Sequence, residues 1–567
     1  MNGRLRNLFF YLVLTIVIVG AAGCGPAATP APEEPTAPAE EGQAAEPTAP
    51  AAEEPTEPVV IRFGWKGEPD CLTNIYTCGT IYELSELIWE GVYGLGPNCV
   101  PLIPRQMKAV DVSNDGKTFT FHLREGDTWS DGEPFTSEDL QQYWDWIKDK
   151  SIASWYWITA KAVEWHVIDD LTFEVTLSVP DSAFLTGYTT WNFILPMQVY
   201  GEMSEDDFFA YKTDSPVTTG PYKLTEWNRG SYIIFDARPE YALGKPPIDR
   251  IVVQFFANED AMVNALQAGD IDVIAANISP QYYETLAADP ELTLWEQPPG
   301  RIVHLDFNLR KEVEGFDRNP AILDPVVREA IDYAIDKQRI VDVALFGQGY
   351  VCPTAFTCGP LYADLVEPSL EALPQDFDKA NQLLDDAGYL DKDGDGVRES
   401  PDGRPMVISL FYDVAVSASL PAAGMLEEWA EEIGIDLEPE AMEGATLTNR
   451  EVFTGEYEMA IRVWMAEFEP AVMRDLYSCN AGMPFTGWCS QAFEDANDNL
   501  QITFGSARDK FRYDMNKAFH DERPYIYLAG MKSLGAFRTD KVELPAEACP
   551  YYGQLLSWYS VMNAVVK

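Results

Sequence analysis

An acidic run between positions 391 and 402 has the residue types and spacing of a calcium-binding loop. Oxygen donors fall at loop positions 1, 3, 5, 7, 9 and 12, and glycine at position 6, which is the EF-hand order. The donors are Asp391, Asp393, Asp395, the carbonyl of Val397, Glu399 and Asp402. The run therefore predicts bound Ca²⁺, and a merely solvated acidic turn is the alternative.

This loop departs from an EF-hand in two respects. Asp402 replaces the bidentate glutamate at the last position and follows Pro401, and the segment from Arg404 onward has the pattern of a strand instead of an exiting helix. We therefore predict a lone structural Ca²⁺ that pins a connection, with no part in calcium signalling. No other cofactor is required by the sequence.

Residue patterns of catalysis are sparse. The sequence has neither GxSxG nor HExxH, and no histidine lies within four residues of another; the four are His122, His166, His304 and His520. We predict that the protein is not an enzyme. The alternative from a different class is an exported hydrolase that uses carboxylates, as glycosidases do, because acidic residues are abundant.

Nine cysteines occur, of which Cys24 stands apart near the N-terminus. The other eight are Cys71, Cys78, Cys99, Cys352, Cys358, Cys479, Cys489 and Cys549. Three close pairs suggest themselves, 71/78, 352/358 and 479/489, although eight cysteines leave the connectivity open. None has CxxC spacing, so loop-pinning disulfides in an oxidising compartment are predicted instead of zinc sites.

Periodicity predicts the elements that carry these residues. Residues 117–123 alternate as a strand after an Asp115-Gly116 turn. Asp324-Pro325 has the N-cap and first-turn residues of a helix. Further helices are predicted at 377–387, closed by Gly388, and at 421–433, and further strands at 251–256, 407–411 and 459–463. This alternation predicts an α/β fold.

Charge and composition exclude some classes of function. Lys and Arg number 40 against 91 Asp and Glu, giving a net charge of −51. Nucleic-acid binding is excluded because such proteins need basic surfaces, and charged docking onto anionic lipid is disfavoured. Hydrophobic residues make up 46% of the chain, enough for large cores.

The N-terminus predicts export and anchoring. Arg4 and Arg6 precede a 15-residue apolar run, 8–22, which is shorter than the roughly 20 residues of a membrane-spanning helix. Residues 21–24 resemble a bacterial lipobox, which makes 1–23 a lipoprotein signal peptide and Cys24 the lipidated first residue. Residues 24–58, rich in Pro, Glu and Ala, are predicted to be a disordered tether.

Several stretches together resemble the extracellular solute-binding proteins of family 5, which serve ABC importers and include oligopeptide-, dipeptide- and nickel-binding proteins. In chain order they are FTFHLREG (119–126), WSDGEPFT (129–136), TGPYKL (219–224), AGDID (268–272) and DPVVREAIDYAID (324–336). The resemblance spans about residue 60 to the C-terminus and is silent on the ligand.

This resemblance implies a two-lobed clamp like that of periplasmic binding proteins. Lobe 1 is discontinuous: residues 59–300, with an inserted subdomain at about 86–204, completed by 531–567. Lobe 2 is residues 301–530, and strands near 301 and 530 form the hinge. A monomeric lipoprotein outside the cytoplasmic membrane would capture a small, peptide-like solute by lobe closure and deliver it to an ABC permease with its ATPase.

The resemblance also implies ligand contacts at Trp464, Met465, Glu467 and Phe468. The family has an aspartate at the position of Glu467 that pairs with a peptide's α-ammonium, and one more residue after Phe468. A carboxylate in a water-poor cleft suits a cation. The alternatives are that Glu467 caps a turn or faces solvent and that Trp464 is core packing. Oligosaccharides, opines, metal chelates and a purely sensory role also remain open.

Overall fold

The computed structural model describes residues 57–73, 78, 82–95, 102–150, 161–185, 193–275, 278–353, 365–465, 474–481, 483–546 and 555–567. The signal peptide, Cys24 and nearly all of the tether predicted from the sequence lie outside these residues. None of the helices among them is both long and apolar enough to cross a membrane.

Strands alternate with helices through the described part of the chain. The strands are β1 (Val60–Lys66), β2 (Tyr93–Leu95), β3 (Leu102–Pro104), β4 (Met107–Val112), β5 (Thr118–Leu123), β6 (Ala162–Asp169), β7 (Thr172–Leu177), β8 (Tyr222–Asn228), β9 (Tyr232–Ala237), β10 (Arg250–Phe256), β11 (Val273–Ile274), β12 (Leu292–Phe307), β13 (Gly349–Tyr350), β14 (Val407–Asp413), β15 (Asp436–Met442), β16 (Met459–Met465), β17 (Tyr525–Arg538), β18 (Val542–Glu543) and β19 (Val565–Val566).

The helices are mostly short and amphipathic. They are α1 (Tyr82–Ile88), α2 (Ser137–Lys150), α3 (Met197–Tyr200), α4 (Glu205–Ala210), α5 (Glu259–Ala268), α6 (Tyr283–Ala287), α7 (Pro325–Ala334), α8 (Lys337–Ala344), α9 (Phe377–Asp386), α10 (Ser419–Glu431), α11 (Gly444–Thr448), α12 (Arg474–Tyr477), α13 (Gln491–Ile502), α14 (Arg508–Glu522) and α15 (Trp558–Met562). A π-helical turn, Asn449–Thr454, continues α11.

Local sequence signals account for individual elements. The β4–β5 hairpin places Phe119, Phe121 and Leu123 in the core, and Gly116 adopts the left-handed conformation that the predicted turn requires (φ 68°). Helix α7 begins after Asp324, whose carboxylate accepts a hydrogen bond from the amide of Val326 at 2.9 Å. The strand and helix predictions around these residues are confirmed.

One large mixed sheet organises the fold, in the order β15-β14-β16-β12-β17-β11-β1-β10-β9-β8, with β13 also paired to β17. Its two longest strands, β12 and β17, are antiparallel from Leu292 opposite Arg538 to Asp306 opposite Tyr525. A separate four-stranded sheet, β4-β5-β7-β6, belongs to the inserted subdomain. The predicted α/β fold class is confirmed.

The hydrophobic clusters divide along the chain. Two of them draw their buried members from residues 61–295 and 534–564, and three draw theirs from residues 302–529. Strands β12 and β17 contribute to both groups because each runs from one to the other. We keep the names lobe 1 and lobe 2 for the residue ranges predicted from the sequence, whose boundaries stay a prediction.

Two of the three suggested disulfides are present, Cys71–Cys78 and Cys479–Cys489. Cys352 is also disulfide-bonded. Its suggested partner, Cys358, lies outside the described residues, as do Cys99 and Cys549.

Candidate solute-binding site

Trp464 lies at the end of β16, beside Ile302 of the long strand β12. Its indole ring is half-buried and meets Phe485 edge-on, with 5.0 Å between ring centroids. The indole N–H is buried and has no hydrogen-bond partner among the described residues. The partly exposed indole ring is an aromatic surface of the kind on which a solute can pack.

Other predicted contact residues are only partly visible. Met465 is the last residue of β16 and pairs with Arg301, and its side chain lies outside the described part of the structure. Glu467 and Phe468 are also outside the described residues. The ligand-contacting role of all four residues therefore stays a prediction.

Arg462 precedes Trp464 by two residues on the same face of β16, and its side chain packs against the indole ring. Its guanidinium lies 5.2 Å from the centroid of the Trp464 ring and 4.3 Å from that of Phe485. The same guanidinium pairs with Glu451 of the π-helical turn, and the two side chains are 8% and 0% exposed. Because both side chains are buried and paired, the position of Arg462, and with it that of Trp464, is restricted.

A second buried polar pair lies on β12, the strand that pairs with β16. His304 of β12 is opposite Arg462, and its Nδ1 lies 2.7 Å from Oδ1 of Asp306, with both side chains buried. The His304 ring lies 5.0 Å from the ring of Tyr525, whose hydroxyl hydrogen-bonds that of Tyr527 at 2.8 Å. These residues form the polar interior of lobe 2 next to Trp464.

Burial dominates the electrostatics of this interior. Burial away from water is the main reason that the pKa of Glu451 is raised to about 8; Arg462 opposes this shift, and the charge of Asp306 adds to it. Nε2 of His304, Oδ2 of Asp306 and Oε1 of Glu451 have no hydrogen-bond partner among the described residues. Burying such a cluster costs desolvation free energy that the pairing of Arg462 with Glu451 offsets only in part.

Strands β12 and β17, which are predicted to form the hinge, carry a polar cluster of their own. Nζ of Lys532 on β17 lies 3.3 Å from Oε2 of Glu296 on β12 and 3.2 Å from Oε1 of Gln348, just before β13. Tyr283 donates its hydroxyl to Oε1 of Glu296 at 2.8 Å. The register between β12 and β17 is also irregular from Gln297 to Arg301. Register irregularities of this kind bend and twist a strand locally, and this one lies where the hinge is predicted.

Sequence reasoning missed Arg462, Glu451 and the His304–Asp306 pair. The sequence did contain a signal. His304 and Asp306 are two positions apart in one mainly apolar strand, and Arg462 and Trp464 are two positions apart in another. The side chains of each pair therefore share one face of their strand. Whether that face meets solvent or a core depends on packing that local sequence does not report.

The acidic loop brings three of its six predicted ligands together. Carboxylate oxygens of Asp391, Asp393 and Asp395 lie within 4.8 Å of one another, and all three residues are exposed. Asp391 also accepts hydrogen bonds from the amides of Gly394 and Gly396, at 2.7 and 3.1 Å. The loop is thus wound around its first aspartate.

The remaining predicted ligands are arranged differently. Glu399 is buried and accepts a hydrogen bond from the Lys392 amide at 2.8 Å, and Asp402 accepts one from the Ser400 hydroxyl. The chain continues into strand β14, as predicted, and not into a helix. A Ca²⁺ held by the three aspartates would need further oxygens, from the Val397 carbonyl and from water, to reach six ligands. Calcium binding stays a prediction.

Calcium is expected to stabilise the protein through this loop. At 100 times its Kd, an ion that binds only the folded state adds about 2.7 kcal/mol to the free energy of unfolding, so chelator should lower the Tm and Ca²⁺ restore it. Asp391→Ala with Asp393→Ala should abolish the response. The matched control, Glu438→Ala with Glu440→Ala on β15, removes the same charge and should keep it. An unchanged response in the aspartate variant contradicts the site.

Comparison with known proteins identifies the family. The family model described as bacterial extracellular solute-binding proteins, family 5 Middle, matches residues 101–483. The chain belongs to this family. The resemblance predicted from the sequence motifs is thereby confirmed.

Two curated relatives illustrate the range of the family. A putative ABC transporter peptide-binding protein of Brucella ovis is 26% identical over 342 residues, 60% of each chain. The nickel-binding periplasmic protein of Escherichia coli is 27% identical over 377 residues, 65% of this chain and 68% of the relative. The matched region therefore spans about two thirds or less of each relative's length.

The fold agrees with that of a solved family member over nearly the whole chain. The oligopeptide-binding protein AppA of Bacillus subtilis, in complex with a nonapeptide, superposes with a TM-score of 0.74 at 18% identity, covering 91% of this chain and 100% of AppA. The clamp architecture inferred from the motifs is confirmed at the level of the fold.

Proposed function

We propose that this family 5 protein captures peptide-like solutes outside the cytoplasmic membrane and hands them to an ABC permease. Membership of the solute-binding family, through the match over residues 101–483, is the observation that carries the proposal. The physical mechanism is closure of the two lobes about β12 and β17, because a solute that contacts both lobes stabilises the closed state by its differential affinity.

The packing of the Trp464 indole ring also supports a binding role. Arg462 and Phe485 hold the indole in place, so a solute does not have to order it at the cost of side-chain entropy. The proposal assigns Glu467, three residues further along, to the positive end of the solute. The protein acts as a monomer and performs no chemistry on its ligand.

A metal chelate is the second candidate solute class. The E. coli relative, which is about as similar to this chain as the peptide-binding relative is, is a nickel-binding protein, and this observation supports the metal-chelate alternative. Oligosaccharides and opines are further solutes within the same mode of action, since aromatic walls stack on sugars as readily as on peptide side chains.

Identification of co-purifying solutes tests the proposed function. Protein folded in its native host should release a peptide on denaturation that mass spectrometry identifies, and the synthetic peptide should rebind with one site in titration calorimetry. Recovery of a metal chelate or a sugar would replace the peptide assignment while keeping the mode of action. Recovery of the added synthetic peptide in a covalently altered form after it has been bound would contradict a pure binding role.

Anchoring through Cys24 is part of the proposal. The apolar run ending before Cys24 and the acidic, proline-rich tether after it are what support a lipid-anchored mature protein. We expect the mature N-terminus to be Cys24 and the protein to enter the detergent phase with membranes. Cys24→Ala should release it, whereas a Cys99→Ala protein should stay membrane-bound. An equally membrane-bound Cys24→Ala protein contradicts the anchor.

A further inference from the structure

Helix α13 of lobe 2 ends against the inserted subdomain of lobe 1. The amide of Ser182 donates to the carbonyl of Gln501 at 2.7 Å, and the Ser182 hydroxyl donates to the carbonyl of Leu500 at 3.0 Å. The last carbonyls of a helix have no partner within the helix. Here the carbonyl of Gln501 accepts from the other lobe, and that of Leu500 accepts from it as well as from the amide of Thr503 at 3.3 Å, so the subdomain helps to cap the helix across the boundary between the lobes.

A lysine reinforces this contact with charge. Nζ of Lys161, in the subdomain, lies 2.9 Å from Oε1 of Gln501 and 2.5 Å from Oδ2 of Asp181. Asp181 is buried and holds the ammonium group next to the helix end. A positive charge at a helix C-terminus is favourable because it meets the negative end of the helix dipole.

An aromatic ring completes the contact. A β-carbon placed on Gly116, at the tip of the β4–β5 hairpin, would lie 2.4 Å from the ring of Phe504, so the ring lies directly against this turn. Phe504 follows α13 and is 43% exposed. Only glycine leaves room for the ring at this turn, and Gly116 also has a positive φ.

These groups lie in different lobes and away from the hinge strands β12 and β17. Any rotation of one lobe about the hinge must therefore break or shear the hydrogen bonds of Ser182 and Lys161. We propose that the contact is an interlobe latch, formed by Gly116, Lys161, Asp181 and Ser182 on lobe 1 and Leu500, Gln501 and Phe504 on lobe 2, which sets the balance between the open and closed states.

The latch rests on the proposed function, because it regulates the closure by which solute is captured. It acts on affinity without touching solute: the apparent Kd is the intrinsic Kd divided by the closed fraction. Removal of a charge-assisted hydrogen bond and of an aromatic contact is expected to raise the apparent Kd about tenfold. The expected change lies in the solute's off-rate, because an open clamp releases its ligand.

The test compares Lys161→Met/Phe504→Ala with wild type. The control, Lys510→Met/Leu420→Ala, makes the same kind of change at exposed positions of lobe 2. With co-purified solute removed from all proteins, the latch variant should have a larger radius of gyration by X-ray scattering and at least threefold faster hydrogen exchange in a peptide containing Ser182. The control should match wild type in both measurements.

Gln501→Leu is a milder second variant, because it removes the side-chain acceptor on lobe 2 for Lys161 and leaves the contact of Lys161 with Asp181 in place. It should shift both measurements in the same direction. Scattering and exchange equal to wild type in both latch variants would overturn the proposal. These two measurements need no ligand, so they decide the latch even if the solute class is wrong. Failure of trialanine to bind wild type would count against the peptide assignment alone.

Discussion

Glu467→Gln is expected to weaken binding of a free-amine peptide by tens-fold to thousands-fold. The substitution keeps size and some hydrogen bonding but removes the charge, and loss of one partner of a buried charged pair costs about 2–5 kcal/mol. Titration calorimetry of both proteins against the co-purified peptide measures the change. Glu456→Gln, at an exposed position of the same lobe, is the matched control and should bind as wild type does.

N-acetylation of the peptide separates recognition of the amine from a general loss of binding. Acetylation should weaken binding to wild type strongly and to Glu467→Gln much less, because both changes delete the same interaction. The four combinations of protein and peptide give the coupling free energy. Equal binding of free and acetylated peptide by wild type would show that Glu467 does not recognise an amine.

Glu451→Leu is expected to lower the free energy of unfolding by about 3–5 kcal/mol, because it leaves the guanidinium of Arg462 buried without the carboxyl oxygen that accepts its hydrogen bond. Glu451→Gln should cost less, since its amide oxygen still accepts from Arg462. The double variant Glu451→Leu/Arg462→Met should recover much of the loss because it buries no unpaired charge. Urea denaturation measures all three, and a double variant less stable than Glu451→Leu contradicts the pairing.

The pH dependence of stability follows from the same group. Burial raises the pKa of Glu451 from 4.5 to about 8, so between these values the folded protein holds a proton that the unfolded chain has released. The contribution of Glu451 to stability is therefore largest below pH 4.5 and falls as the pH rises toward 8. The Glu451→Gln variant should lose this part of the pH dependence in urea denaturation at pH 5, 6.5 and 8.

Much of the fold follows from local sequence. The N-cap Asp324, the hairpin glycine Gly116 and the C-terminal Gly388 mark element ends that the structure places within two residues of prediction. Each signal works through contacts a few residues apart, which sequence spacing reports directly. Two of the predicted disulfides also join cysteines close in sequence.

The features that sequence missed depend on distant partners. His304 and Arg462 are neighbours only because β12 and β16 pair in one register, and Ser182 meets Gln501 only because the subdomain folds back over lobe 2. Nothing near Ser182 distinguishes it from an ordinary loop serine. A site at Trp464 was therefore proposed from a family motif, whereas the residues that pack around Trp464 could not be named from the sequence.

The position of β17 in the sheet bears on the order in which the lobes fold. This strand lies between β12 and β11, and its end pairs with residues far back in the chain, Ala536 with Ile274 and Phe537 with Val273. Closing so long a loop is slow, because its entropy is lost before the contacts reward it. Lobe 1, although synthesised first, can therefore complete its sheet only after β17, close to the C-terminal end of the sequence, has been made.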